Sequence, residues 1–315
     1  MKQSLFQNIA KATGALLFAV VTSAGLTGCY VEANPTGRIS PSDKEPQAIS
    51  FTASVGQTAR TRAGVAVQST AFDAGEQINI ECTPNGGSMA SAFYTTAAAD
   101  NAGVNALTLS SGSTALVWPQ SGTIDLKAFY PSSVTSSSTS FTVQTDQSTD
   151  ANYKASDLMY ATPISGQAHT QNAVGLDFKH ALSKIIVNLT PGSYFSAQDV
   201  AACTVTLSAD TEATISSGVV SASSTPGTIT MGTGSGLAAI IAPQTIPASQ
   251  NYITISYSTV SASFQLSSSQ TLDAGKVYTY NLTVDNSSGI TTITLQSTTI
   301  TDWVDGGTTS GTVTL

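Results

Sequence analysis

From Ile49 onward, apolar and polar residues alternate with a period of two, in short runs broken by turn residues. This pattern limits the chain to an all-β fold more sharply than any other feature. Ile49, Phe51, Ala53 and Val55 alternate with Ser50, Thr52 and Ser54, as expected of a strand with one buried face. Further strands are predicted at 77–83, 92–96, 105–109, 124–130, 141–145 and 158–162. After a polar stretch at 165–172 they resume at 174–178, 184–189, 203–207, 213–216, 228–231, 238–242, 252–257, 262–266, 276–284 and 290–300. Tyr278, Tyr280, Leu282 and Val284 share one face of their strand, and Ile253, Ile255 and Tyr257 share one of theirs. Turn residues such as Pro84-Asn85-Gly86-Gly87 separate several runs. Many short, evenly spaced strands imply sandwiches or barrels, with a boundary near 172 dividing the body into 48–172 and 173–315. Helical signal is confined to the first 28 residues, with one further turn expected at 196–202.

The front of the chain reads as an address. Lys2 and Lys11 precede an apolar run of small residues ending in Leu26-Thr27-Gly28-Cys29. The run, residues 12–25, is shorter than the roughly 20 residues a spanning helix needs, so it is expected to be a signal peptide. A branched apolar residue, two small residues and a cysteine form a lipobox, which makes Cys29 the expected lipidation site and 1–28 the removed segment. Pro35, Pro41 and Pro46 among polar residues mark 29–47 as an extended tether. The expectation is an exported, outer-membrane lipoprotein.

Charged residues make up 10% of the chain, against about 25% in ordinary soluble domains, and hydroxyl and small residues take their place. Net charge is −8 and falls to −10 once Lys2 and Lys11 leave with the signal, which argues against nucleic acid as a partner. Besides Cys29, Cys82 and Cys203 lie within expected strands. They read as two separately buried thiols, the alternative being a disulfide.

No catalytic centre emerges. The two histidines, His169 and His180, do not supply a zinc ligand set. Asp177 and His180 have the spacing of a base and its orienter, but a structural histidine at a strand end is the preferred reading. There is no Gly-x-Ser-x-Gly elbow, and Gly232-Thr233-Gly234-Ser235-Gly236 lacks the spacing and lysine of a phosphate loop. The acids at 146–157 fit no EF-hand loop. Asn188-Leu189-Thr190 and Asn281-Leu282-Thr283 match a glycosylation pattern by accident in a bacterial lipoprotein. No enzyme activity, metal or cofactor is expected.

The arginines are unevenly placed. Arg38, Arg60 and Arg62 all precede residue 63, and none follows. The distribution suits a body resistant to an arginine-specific protease behind a cleavable front; chance in a weakly charged chain is the other reading.

Several blocks in order resemble the fimbrillin family, the Mfa-like pilus-forming lipoproteins. They are Cys29, Ile49-Ser50-Phe51-Thr52-Ala53, Thr61-Arg62-Ala63, Trp118-Pro119 with Asp125-Leu126-Lys127-Ala128-Phe129-Tyr130-Pro131, and Asp157-Leu158-Met159-Tyr160-Ala161. They continue with Leu176-Asp177-Phe178-Lys179-His180-Ala181-Leu182-Ser183-Lys184-Ile185, Ala242-Pro243-Gln244-Thr245, Gly275-Lys276-Val277-Tyr278-Thr279-Tyr280-Asn281-Leu282-Thr283 and Ile300-Thr301-Asp302-Trp303. The resemblance implies two tandem transthyretin-like β-sandwich domains and assembly with other fimbrial subunits at the cell surface. It further implies that an arginine-specific protease removes the first strand, so that a neighbour's donor strand fills the groove by β-augmentation. Carried onto this chain, the cut falls at Arg62-Ala63, with Arg60-Thr61 as second choice. Ile49, Phe51, Ala53 and Val55 would leave, and Val313 and Leu315 would belong to the candidate donor. A host or bacterial surface receptor would be a further partner. A different class of function is a monomeric surface lipoprotein binding glycans through loops, with Trp118, Trp303 and exposed tyrosines as stacking platforms; these aromatics read better as core.

Overall fold

Alternating side chains force each run to bury one face, and the computed structural model shows how those faces meet. It describes residues 46–56, 71–216, 218–233, 236–285, 292–303 and 311–312. Cys29, Arg60, Thr61, Arg62, Ala63, Val313 and Leu315 lie outside them.

In chain order the first strands are β1 (Phe51–Val55), β2 (Gln77–Pro84), β3 (Ala90–Ala99), β4 (Asn105–Leu109), β5 (Thr123–Tyr130) and β6 (Ser140–Thr142). Helix α1 (Asp150–Ala155) follows, then β7 (Met159–Ala161), β8 (Ile164–Ala168), β9 (Val174–His180) and β10 (Ser183–Pro191). After α2 (Ala197–Ala201) come β11 (Thr204–Asp210), β12 (Glu212–Ser216), β13 (Val219–Ala222), β14 (Pro226–Thr233), β15 (Gly236–Ile241) and β16 (Gln244–Ile246). The last are β17 (Asn251–Tyr257), β18 (Val260–Gln265), β19 (Gln270–Leu272), β20 (Lys276–Asp285), β21 (Thr292–Asp302) and β22 (Gly311–Thr312). The turn at the end of β2 is the expected one: Gly86 takes a φ of +75°, where a side chain would be strained, and Gly87 N donates to Pro84 O at 2.8 Å.

Eight strands form a sheet in the order β2-β3-β4-β1-β9-β7-β5-β8, and β2 also pairs with β5. The pairings therefore run in a ring through β2, β3, β4, β1, β9, β7 and β5, with β8 outside it on β5. Its interior is the first core, which contains Ile49, Phe51, Val55, Ile78, Ile80, Leu126, Leu176 and Phe178. The strand β9, which follows the boundary read near 172, pairs with β1 and β7 of this sheet.

The second core lies between the sheets β15-β10-β20-β21-β22 and β14-β11-β17-β18. Tyr278, Tyr280, Leu282 and Val284 are all buried, as their spacing predicts, together with Ile185, Val187, Val205, Leu207, Ile253 and Ile255. Phe129, Val134, Phe141, Val143 and Leu158, which precede 172, also belong to this core. Gln147 ties that early segment in: its Nε2 donates to Ile240 O at 2.7 Å and its Oε1 accepts from Ile240 N at 2.8 Å. A side-chain amide thus stands in for a neighbouring strand beside β15.

The acids that had no clear role in the sequence lie on and around helix α1. Thr149 caps it by accepting from Asn152 N, and Asp150 sits in its first turn, where a carboxylate meets unpaired N–H groups. Asp146 accepts from Ser148, and Asp157 is buried against His180. These acids diverge, and no group of three potential metal ligands occurs among the described residues. Cys82 and Cys203 are both free and buried, and burial raises both thiol pKa values.

Candidate functional site

The segment Ile49–Val55 holds the first strand among the described residues, yet it occupies the middle of the first sheet. Toward β4 it runs antiparallel, with Phe51 opposite Leu107 and Ala53 opposite Asn105. Toward β9 it runs parallel, from Phe51 opposite Val174 to Val55 opposite Phe178. In the ring of pairings, β1 is the strand that joins β4 to β9.

The alternation read in the sequence is realised in full. Ile49, Phe51, Ala53 and Val55 are 4, 2, 0 and 1% exposed, while Thr52 and Ser54 are half-buried on the other face. The Phe51 ring meets Tyr94 edge to face at 5.1 Å. Tyr94 in turn accepts from Leu116 N at 3.3 Å, and burial pushes its phenol pKa up. The slot around β1 is accordingly apolar, with no ionised group at its floor.

Polar ties fix both ends of the segment. Ile49 N donates to Leu116 O at 2.8 Å, Val174 N to Ser50 O at 2.8 Å and Gly56 N to Phe178 O at 3.0 Å. Gln47 lies 2.8 Å from His169 Nε2 through its Oε1 and donates to Gln171 at 2.9 Å. His169 packs edge-on against Trp118, 5.2 Å away. Opposite Ala53, the fully buried Asn105 donates to Phe72 O at 2.8 Å and accepts from Phe72 N at 3.0 Å. This clasp fixes the backbone of Phe72, itself a residue of the first core. The bonds of Asn105 to Phe72 and of Gln47 to His169 and Gln171 span 33 to 124 residues, too far for any local pattern to announce.

The other expected sites sort as follows. His180 does not use Asp177. Its Nδ1 lies 2.8 Å from Asp157 Oδ1, and its ring stacks on Trp303 at 3.9 Å with planes 3° apart. Asp177 lies on the same strand as His180, but three residues apart in a strand places the two on opposite faces. Asp157, arriving from the end of α1, takes its place. The pair is buried and has the surroundings of a packing element. Trp118 and Trp303 are 6% and 3% exposed, which makes them core residues rather than stacking platforms. Asn188 donates to Asn281 at 2.9 Å across β10 and β20, so the two glycosylation-like asparagines bond each other. At the C-terminal side, Gly311 and Thr312 pair with Ile300 and Thr299 of β21.

Comparison with known proteins gives a consistent result. Residues 61–303 match the model of a family described as fimbrillin-like; β1 lies before the matched stretch. No curated protein sequence matches. Among solved structures, the chain is similar to a candidate cell adhesion protein from Bacteroides uniformis, with 21% identity, a TM-score of 0.61, and coverage of 82% of this chain and 98% of that one. It is also similar to a candidate cell adhesion protein from Bacteroides ovatus, with 17% identity, a TM-score of 0.60, and coverage of 83% and 99%. At these identities the likeness carries the fold.

Proposed function

The chain belongs to the fimbrillin-like family, and from that premise we propose that it is a fimbrial subunit whose first strand is exchanged for a strand of a neighbouring subunit. Membership makes it a fimbrial or adhesion-related protein of the cell surface that works with other fimbrial subunits, and a structural protein rather than an enzyme. The finer reading is ours. Lipid on Cys29 carries the precursor to the outer membrane, and an arginine-specific protease cuts at Arg62-Ala63, or at Arg60-Thr61. The segment bearing Ile49, Phe51, Ala53 and Val55 then leaves, and a donor such as the stretch containing Val313 and Leu315 of another copy replaces it. The body is read as two transthyretin-like units divided near 172, and the pairings of β9 with β1 and β7 favour counting β9 with the first.

The observation that carries this reading is the place of β1: first strand among the described residues, outside the family match, and bonded on both edges inside a closed ring of strands. Three large apolar side chains at about 1.5–3 kcal/mol each come to about 5–9 kcal/mol, comparable to the whole stability of a domain at about 5–15 kcal/mol. A slot emptied of β1 does not stay empty. It is refilled or the first core opens, and refilling by an alternating strand restores both ladders.

The test is limited digestion of the full chain with an arginine-specific protease, followed by N-terminal sequencing and electrophoresis under mild denaturation. One stable fragment beginning at Thr61 or Ala63, with concentration-dependent laddering, is the expected result. Scattered cleavage, or polymerisation of uncut protein, overturns it. The glycan-binding monomer built on Trp118 and Trp303 is not favoured, because both rings are buried.

A further inference from the structure

Two adjoining cavities of about 400 and 410 Å³ lie on the outer face of the first sheet and share Tyr160, Ala161, Pro163 and Gly218 in their walls. Each falls within the range of small-molecule sites, about 300–1,000 Å³. Phe129 of β5, Tyr160 of β7 and Lys179 of β9 stand side by side across three strands, so the row forms a floor. The Phe129 and Tyr160 rings meet edge to face at 5.6 Å.

The cations single this groove out. The described residues contain five lysines and no arginine. Lys154 pairs with Asp73 and Glu76, Lys276 pairs with Asp302, and Lys184 lies over Trp303. The remaining two, Lys127 and Lys179, are exposed, make no ion pair among the described residues, and both line the groove, one at each cavity. Glu81 stands opposite Lys127 in the ladder, but its carboxylate is buried and accepts from Ser136 N at 2.9 Å. In a chain of net charge −8, both lysines without an ion pair or ring contact among the described residues thus face one cleft.

We propose that this groove binds a short carboxylated oligosaccharide, with Lys127 and Lys179 pairing with acidic sugar groups on either side of Tyr160. Tyr160 lines both cavities; its hydroxyl is buried and burial raises its pKa to about 12, so the side chain stays neutral and forms an apolar wall between the two lysines. Thr135, Ser136 and Ser138 supply hydroxyls along the wall of one cavity and Thr162 along the other. An acidic peptide fits less well. Strands β5, β7 and β9 are each paired on both sides, so an extended peptide finds no free backbone ladder there.

The test is calorimetric titration of the unpolymerised full chain with trigalacturonic acid, galactotriose and hexaglutamate. Trigalacturonic acid is expected to bind, with affinity falling as salt rises, and galactotriose at least about tenfold more weakly. Lys127→Gln and Lys179→Gln each reduce affinity about three- to tenfold, and the double variant abolishes it. An unchanged urea midpoint shows that the exposed lysine variants remain folded. Absence of binding, equal binding of galactotriose, matching affinity for hexaglutamate, or indifference to the double variant overturns the proposal. Because no cleavage or assembly enters the assay, its failure leaves strand exchange untouched, and failure of strand exchange leaves it untouched.

Discussion

Phe51→Ala is the perturbation that bears most directly on the role of β1. Phe51 is 2% exposed, lies opposite Leu107 on one side and Val174 on the other, and contacts Tyr94 edge to face. Truncating such a ring costs about 3–5 kcal/mol, which at a urea slope of about 2 kcal/mol/M moves the midpoint down by about 1.5–2.5 M. The molecule supplies its own reporters: Trp118 belongs to the first core and Trp303 to the second. In a Trp303→Phe background, indole fluorescence follows the first core alone; in a Trp118→Phe background it follows the second. Phe51→Ala is expected to shift the Trp118 transition by the full amount and the Trp303 transition far less. Thr52→Ala, on the half-buried face of the same strand, costs under about 1 kcal/mol. After arginine-specific trimming and removal of the front segment, wild type and Phe51→Ala become indistinguishable, because the altered residue has gone. A cost below about 1 kcal/mol in the intact chain, or a difference that survives trimming, would refute the reasoning.

Three further outcomes follow from other parts of the molecule. Gln147→Ala leaves the buried N–H and C=O of Ile240 without partners and is expected to lower the stability read through Trp303 by about 2–4 kcal/mol; a change under about 0.5 kcal/mol in urea unfolding contradicts the strand-mimic role. Lys184 is buried and its pKa is lowered from 10.5, desolvation outweighing the attraction of Asp157. The folded state therefore binds that proton less tightly than the unfolded chain, and stability rises with pH in the window below 10.5. Lys184→Met should raise the Tm at neutral pH, with the gain fading as pH approaches 10.5; thermal scans showing a loss at neutral pH would sink the idea. Cys82 and Cys203 are buried with raised thiol pKa values, so a thiol reagent at pH 8 should label neither in the native chain and both in urea. Rapid native labelling of either would place it at an accessible surface.

Much of the fold was legible because its signal is local. The run from Asn105 to Leu109 was bounded correctly from sequence, and burial follows the alternation residue by residue in β1 and from Tyr278 onward in β20. What escaped notice lacked that signal. β8 buries no side chain fully, so it reads as a polar stretch; β16 and β19 have three residues each, too short for a period to register. Helix α1 spans six residues, under two turns, and showed only as a group of acids.

The sequence by itself determined that this chain is all-β, which residues of its clearly alternating strands face inward, and that its first strand region carries four apolar side chains in alternation. A two-residue period is written within a single strand, and burial enforces it wherever the strand lies. Only the tertiary structure decided that this first strand sits between β4 and β9, that Asp157 rather than Asp177 holds His180, and that Lys127 and Lys179 share a groove. Those outcomes depend on which strands become neighbours after closing loops of tens of residues, and no local pattern records a partner. The strand whose alternation was plainest in the sequence is thus the one whose importance came from its neighbours.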